Sequence, residues 1–386
     1  MKPLNSVQHR FEVLDGLRGI AALLVMGLHF TQQYHFAFLN NIYLAVDVFF
    51  VLSGFVVSHA YAQKLRSGMS NFEYIVRRVA RLFPFLCVGA VLGFLALVFQ
   101  SATSQSGMSY WQDFSASAMN MAFVPYLNMN FVDQSGQQAV GLIFPGNSPM
   151  WSIFFELIAS LLFIPLIKLN WKQLWVVQIL SLVLLLTLPF AIGSASFAHP
   201  VGIDAGWSTS NFLVGFPRVV VGFVSGMLIY RLWCTTLPQR ISSLPQFILQ
   251  PIYPCLFLIL ILAQPWTLKG VFGLVVVVFA APLVVAWGAV SKSHDSSFGR
   301  LMVFLGWLSF PIYCLHEPIL TVTRIAETKF NLRHLFHMPA DFLALAVVFI
   351  VSIAAATLFD KMLLQKRLVQ FFLNPSPRTG EAVTVK

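Results

Sequence analysis

The basic residues of this 386-residue chain fall in alternate loops. Lys64, Arg66, Arg77, Arg78 and Arg81 crowd the segment between the second and third apolar runs, whereas residues 32–41 and 101–149 on either side hold no Lys or Arg. A bilayer imposes this pattern: about 20 apolar residues cross a hydrocarbon core of about 30 Å, and the cytoplasmic loops keep the cations. Composition agrees. Hydrophobic residues make up 58% of the chain and charged residues 10%, with a mean hydropathy of +0.78, where a soluble domain carries roughly 25% charge. A net charge of +10 would point to nucleic acid in a soluble protein. Here the loop alternation accounts for it, and no nucleic-acid partner is expected.

Ten runs have the length of a span, at roughly 13–31, 42–61, 82–100, 150–167, 174–193, 211–231, 247–264, 270–290, 301–323 and 341–361. The expected fold is an all-α, polytopic membrane bundle of about ten transmembrane helices with both termini cytoplasmic. Residues 1–373 would form one transmembrane domain and 374–386 a disordered cytoplasmic tail. The ninth connection fits worst, because Arg324, Lys329 and Arg333 would face outward. The mildly apolar stretch 114–127 is expected to be a re-entrant or surface helix, since a further full span would invert the charge sorting downstream. Gly19–Leu28 could imitate a signal peptide, but no small-x-small cleavage site follows, so a retained first helix is expected. Cys87, Cys234, Cys255 and Cys314 lie in apolar runs without paired spacing. They read as small buried hydrophobes, with no disulfide framework and no metal site; the loop histidines His199, His334 and His337 are not expected to bind a metal either.

Ionisable side chains inside spans are costly and therefore point to function. The span directions sort them into two levels. Arg18, Arg77, Arg78 and Arg81 belong at the cytoplasmic face. His29, Asp47, Glu156, Arg218, His316 and Glu317 belong in the outer half, with Arg218 near the middle of its span. Arginine forks donate in a plane to two phosphate oxygens, and a histidine can take a proton from a hydroxyl and return it. Each residue also has a bland reading: the arginines as juxtamembrane charges, His29 as an interfacial histidine, and Asp47 or Glu156 as a structural partner of Arg218.

Five motifs in order narrow these readings. Phe11-Glu12-Val13-Leu14-Asp15-Gly16-Leu17-Arg18 opens a run in which ten residues separate Arg18 from His29. Val46-Asp47-Val48-Phe49-Phe50-Val51-Leu52-Ser53-Gly54-Phe55 follows, then Arg78-Val79-Ala80-Arg81-Leu82-Phe83-Pro84 ahead of the third run. Trp151-Ser152-Ile153-Phe154-Phe155-Glu156 and Gly306-Trp307-Leu308-Ser309-Phe310-Pro311-Ile312-Tyr313-Cys314-Leu315-His316 complete the set. Over nearly its whole length the chain resembles the membrane acyltransferase 3 family. It departs from the family pattern at Leu157, where a second acid is common, and at Phe310 and Pro311.

The resemblance implies an integral-membrane O-acyltransferase. It would move an acyl group, usually acetyl, from a cytoplasmic coenzyme A thioester to a hydroxyl of a carbohydrate-containing acceptor, in a bacterial inner (plasma) membrane. Some relatives append a soluble hydrolase-like domain, and this chain is expected to lack one. On this basis Arg78 and Arg81, helped by Arg77 and Arg18, would hold the coenzyme A phosphates. The pantetheine arm would reach His29, which lies about 16 Å along the helix from Arg18. His29 would act as general base or carry the acyl group. Glu156 or Asp47 would orient the imidazole. Trp151, Ser152 and Tyr313 would shape the channel or polarise the carbonyl, with Arg218, His316 and Glu317 also lining the path. Acetyl-CoA is the expected co-substrate, with no metal. The residues alone leave two other classes open: a proton-coupled secondary transporter and a non-catalytic subunit of a glycan export complex.

Overall fold

The computed structural model describes residues 11–31, 41–102, 109–127, 130–132, 138–193, 203–235, 257–258, 261–262, 269–291, 297–330 and 340–373. These form an all-α membrane bundle. In chain order the long helices are α1 (Glu12–Thr31), α2 (Leu44–Arg66), α3 (Asn71–Ala102), α5 (Met150–Leu166), α6 (Trp171–Ala191), α7 (Gly215–Thr235), α10 (Ser297–Phe330) and α11 (Ala340–Met362). The short helix α4 (Tyr110–Met121) and a two-stranded antiparallel ribbon (Asn130–Val132 with Gln138–Val140) lie between α3 and α5. A π-turn at Val276–Ala280 joins α8 (Lys269–Val275) to α9 (Ala281–Val290), and α12 (Leu364–Leu373) follows α11. The π-turn sits just ahead of Pro282, which has no N–H for the regular ladder. Among the described residues eight segments are long and apolar enough to cross a membrane: α1, α2, α3, α6, Thr209–Thr235 with α7, Gly270–Val290 with α9, α10 and α11; α5 is a shorter apolar helix.

Contacts fix the helix directions. Arg18 bonds Ser309 and Gly306 while His29 meets Glu317, so α1 and α10 are parallel. Asp47 meets Arg218 and Phe55 meets Tyr230, so α2 and α7 are parallel. Tyr74 bonds Ser160 and Asn147 bonds Gly89, so α5 runs against α3. All of these agree with the alternation required by ten spans. The expected run at 247–264 and the tail from 374 lie outside the described residues, apart from the fragments 257–258 and 261–262.

Small residues let the backbones approach. A Cβ on Gly226 would collide with the Val51 carbonyl, and one on Gly54 with the Phe223 carbonyl, so α2 and α7 meet almost backbone to backbone. This close approach is how membrane helices pack in the absence of a hydrophobic drive between them. The buried Asn147 ties three segments together by donating from Nδ2 to the carbonyls of Gly89 (3.2 Å) and Cys314 (2.8 Å). The Cys314 carbonyl needs this donor, because the residue four places on is Pro318, which has no N–H. Asn147→Ala should therefore cost about 1–3 kcal/mol, read as a lower unfolding midpoint in detergent. An unchanged midpoint would mean that water replaces the amide.

Several expectations shift. Helix α3 begins at Asn71, capped by Ser70 through the Glu73 N–H, so Arg77, Arg78 and Arg81 lie on the helix and not ahead of it. Helix α4 spans 12 residues and is too short to cross; Tyr110, Trp111 and Phe114 are exposed on it, as suits a helix at a membrane surface. Arg324 is not a stray outward charge. It donates to the carbonyls of Phe30 (2.9 Å) and His29 (3.4 Å) and so caps the C-terminus of α1, where a cation complements the helix dipole. Cys314 is buried, but Cys234 is exposed, against the expectation of burial. Cys255, His199, His334 and His337 lie outside the described residues.

Candidate active site

The parallel packing of α1 and α10 brings one polar group together near the end of α1. His29 Nδ1 lies 3.9 Å from Glu317 Oε2. The His29 and His316 rings meet edge to face with centroids 5.1 Å apart. His316 is fully buried, and its Nδ1 bonds the Ile312 carbonyl at 2.9 Å; Nδ1 is therefore the donor and Nε2 carries the lone pair. Neither His316 Nε2 nor Glu317 Oε2 has a hydrogen-bond partner among the described residues. Buried polar atoms are ordinarily paired, so two unpaired ones flanking a histidine suggest that a ligand or water belongs there.

Below this group, Tyr313 Oη and Ser152 Oγ are 2.6 Å apart. Tyr313 packs on Phe49 and on His316, so this hydroxyl pair links the histidines to the level beneath.

That lower level holds Glu156. Its Oε1 accepts from Ser53 (2.9 Å) and from Arg78 (3.2 Å), and Arg78 also donates to Ser160 Oγ (3.0 Å). Arg18 is held by Ser309, by the Gly306 carbonyl and by Asp15. Arg81 is exposed and makes no hydrogen bond among the described residues; its charged and phenolic neighbours are Arg18, Arg78, Glu156 and Tyr61. Arg77 turns away and pairs with Glu73 one turn earlier on α3.

Asp47 and Arg218 form a separate pair. Arg218 donates from Nε and Nη2 to the two Asp47 oxygens (2.9 and 2.8 Å) and from Nη1 to the Ala205 carbonyl (2.8 Å). It also stacks over the Trp151 ring, 5.2 Å from its centroid. Arg218 lies in the first turn of α7, which starts at Gly215 after a 3-10 turn, and is the tenth residue of the candidate span Thr209–Thr235. A cation there opposes the helix dipole, and the bidentate carboxylate compensates.

Accessibility separates these groups. His29, Glu317, Glu156 and Arg18 keep 20, 19, 24 and 27% of their side-chain surface, while Arg218 and Asp47 keep 0 and 1%. Of these six, the first four can meet a ligand, as can the exposed Arg81.

The expected catalytic trio of His29, Glu156 and Asp47 is thus not one constellation. The carboxylate beside His29 is Glu317. Glu156 sits with Arg78, because it lies six residues into α5 and the long Arg78 side chain reaches it from the antiparallel α3. Asp47 is taken by Arg218. Ser53, Tyr74, Asn147, Ser160 and Ser309 were not singled out by sequence, and Arg324 was noted only as an outward charge. Only Ser53 and Ser309 sit inside quoted motifs; the others carry no signal until the helices are paired.

A family model described as "Acyltransferase domain", of the acyltransferase 3 type, matches residues 11–360. A Rhizobium radiobacter protein described as "Protein 2 in picA locus" is 42% identical over 89 residues, which are 23% of this chain and 46% of that protein. The chain thus matches about half the length of that relative. No solved structure matches it.

Proposed function

We propose, from the premise that this chain belongs to the acyltransferase 3 family and is an acyltransferase, that it carries acetyl from cytoplasmic acetyl-CoA to a hydroxyl of a carbohydrate-containing acceptor. The acceptor would be a surface or exported glycan, and the site a bacterial inner (plasma) membrane. The observation that supports this reading best is the accessible His29, flanked by two polar atoms that have no hydrogen-bond partner among the described residues.

In this reading Arg81 and the free edge of Arg18 bind phosphate oxygens of the donor. Arg78 is held mainly by Glu156 and Ser160, and so shapes the passage more than it grips the nucleotide. The Ser152–Tyr313 hydroxyl pair lines the way to His29. Glu317 orients the imidazole and balances its charge once protonated, the task assigned to a triad's carboxylate. His29 takes the proton of the acceptor hydroxyl as the oxygen attacks the thioester carbonyl. The new C–O ester bond forms, the C–S bond breaks, and the proton passes to the departing thiolate.

The test is to compare glycans from cells with the intact gene, a deletion and His29→Ala for ester-linked acetyl groups that alkali removes. Loss in both altered strains is expected, and an unchanged pattern in the deletion would overturn the reading. With purified protein, Arg81→Ala should raise KM for acetyl-CoA by roughly 10–100-fold, the loss of a charge-assisted hydrogen bond. Arg77→Ala should stay within about 3-fold, as expected for an exposed helical ion pair. Equal effects at both positions would remove Arg81 from the donor site.

A further inference from the structure

A cavity of about 390 Å³ opens at the end of the bundle where α2, α5 and α7 finish and α3 and α6 begin. Arg66, Lys168 and Arg231 line it, with Asn71 and Asn170, and no acidic residue does. Among the described residues none of the three cations has an ion pair, although Arg231 donates to the Leu169 carbonyl at 2.6 Å. Three cations around one concavity repel one another unless an anion joins them.

Three aromatic rings stand between this cavity and the level of Arg78 and Arg81. Tyr61, Tyr74 and Phe163 form a continuous aromatic layer, with centroids 5.0 and 5.7 Å apart, and Tyr74 is fully buried. Arg78 and Arg81 lie on one side of that layer. One helical turn beyond it on the other side are Leu65, Asn71 and Ile167, all of which line the cavity.

Asn170, the N-cap of α6, lines the cavity, and the exposed face of α6 begins at the next residue. From Trp171 and Trp175 through Ile179, Leu180, Val183 and Leu184, that helix exposes large apolar side chains. A pair of tryptophans at the start of such a face marks a membrane interface. We infer that this cavity binds the phosphate headgroup of an anionic glycerophospholipid whose acyl chains lie along α6. Basic pockets at the cytoplasmic ends of helices suit such headgroups, and each cation contributes on the order of a few-fold to ten-fold in affinity.

The experiment is native mass spectrometry of the full-length protein in detergent, titrated with phosphatidylglycerol or phosphatidylcholine. The comparison is between the wild type and a double variant, Arg66→Gln with Lys168→Gln. Both side chains are exposed, so the fold should survive; Arg231 is spared because it holds the Leu169 carbonyl. The wild type should retain phosphatidylglycerol in preference to phosphatidylcholine. The double variant should bind phosphatidylglycerol roughly 20–30-fold more weakly, with phosphatidylcholine unchanged. Equal retention of the two lipids by the wild type, or an unaltered phosphatidylglycerol affinity in the double variant, would overturn the inference. So would competitive displacement of the lipid by adenosine 3′,5′-bisphosphate, which would make the cavity a nucleotide site.

Discussion

His29→Ala is expected to lower acetyl transfer by about 10²–10⁴-fold, the range lost with a general base. KM for the donor should change little, because His29 is remote from the arginines assigned to the donor: it lies eleven positions along α1 from Arg18, a rise of about 16 Å. The fold should tolerate the change, since the nearest carboxylate oxygen is 3.9 Å away and the ring is one-fifth accessible. Glu317→Gln should fall between wild type and His29→Ala: the amide can still orient the ring but cannot balance its positive charge. Turnover with purified protein and the cellular glycan assay both read this series. Wild-type transfer by His29→Ala at matched expression would end the catalytic assignment. Loss in Glu317→Gln deeper than in His29→Ala would make the carboxylate the base.

The bundle was legible because a bilayer leaves few alternatives. A run such as 174–193 must be a helix to satisfy its backbone in lipid, and cations at the span ends such as Lys64 and Arg66 mark the side. Helix ends were less legible. Helix α3 starts eleven residues before its apolar run, because Ser70 caps a polar but helix-favouring segment that hydropathy alone excludes. The site was legible as an inventory but not as a set of partners. Depth along separate spans grouped Glu156 and Asp47 with His29, yet partnership depends on which helix faces which. That is decided by features such as the close contact at Gly54 and Gly226, or by Asn147 reaching a carbonyl that Pro318 leaves unpaired. Likewise Arg324 looked like a breach of charge sorting until the parallel α10 delivered it to the end of α1.

Breaking the Asp47–Arg218 pair should be the most damaging single change to stability. Arg218 is fully buried and Asp47 nearly so; removing Arg218 leaves the Asp47 charge uncompensated in a medium that solvates it poorly, and removing Asp47 leaves Arg218 only the part-exposed Asp204, 3.7 Å from Nη1. Arg218→Ala and Asp47→Ala should each cost about 3–5 kcal/mol, seen as loss of monodisperse protein in detergent or a sharp fall in the unfolding midpoint. The pair as a whole is a different matter. Desolvating two charges costs nearly what their attraction returns, so replacing both with apolar side chains, Asp47→Leu with Arg218→Met, should recover much of the loss. Recovery will be incomplete, because Arg218 also holds the Ala205 carbonyl and packs on Trp151. Transfer activity in the double variant then separates two roles. Restored stability with restored transfer makes the pair a clamp between α2 and α7. Restored stability without transfer ties the pair to the acyl path through Trp151, next to the Ser152 that meets Tyr313. An Arg218→Ala protein as stable as wild type would show that the buried charge finds water, and would remove the clamp from the account of the fold.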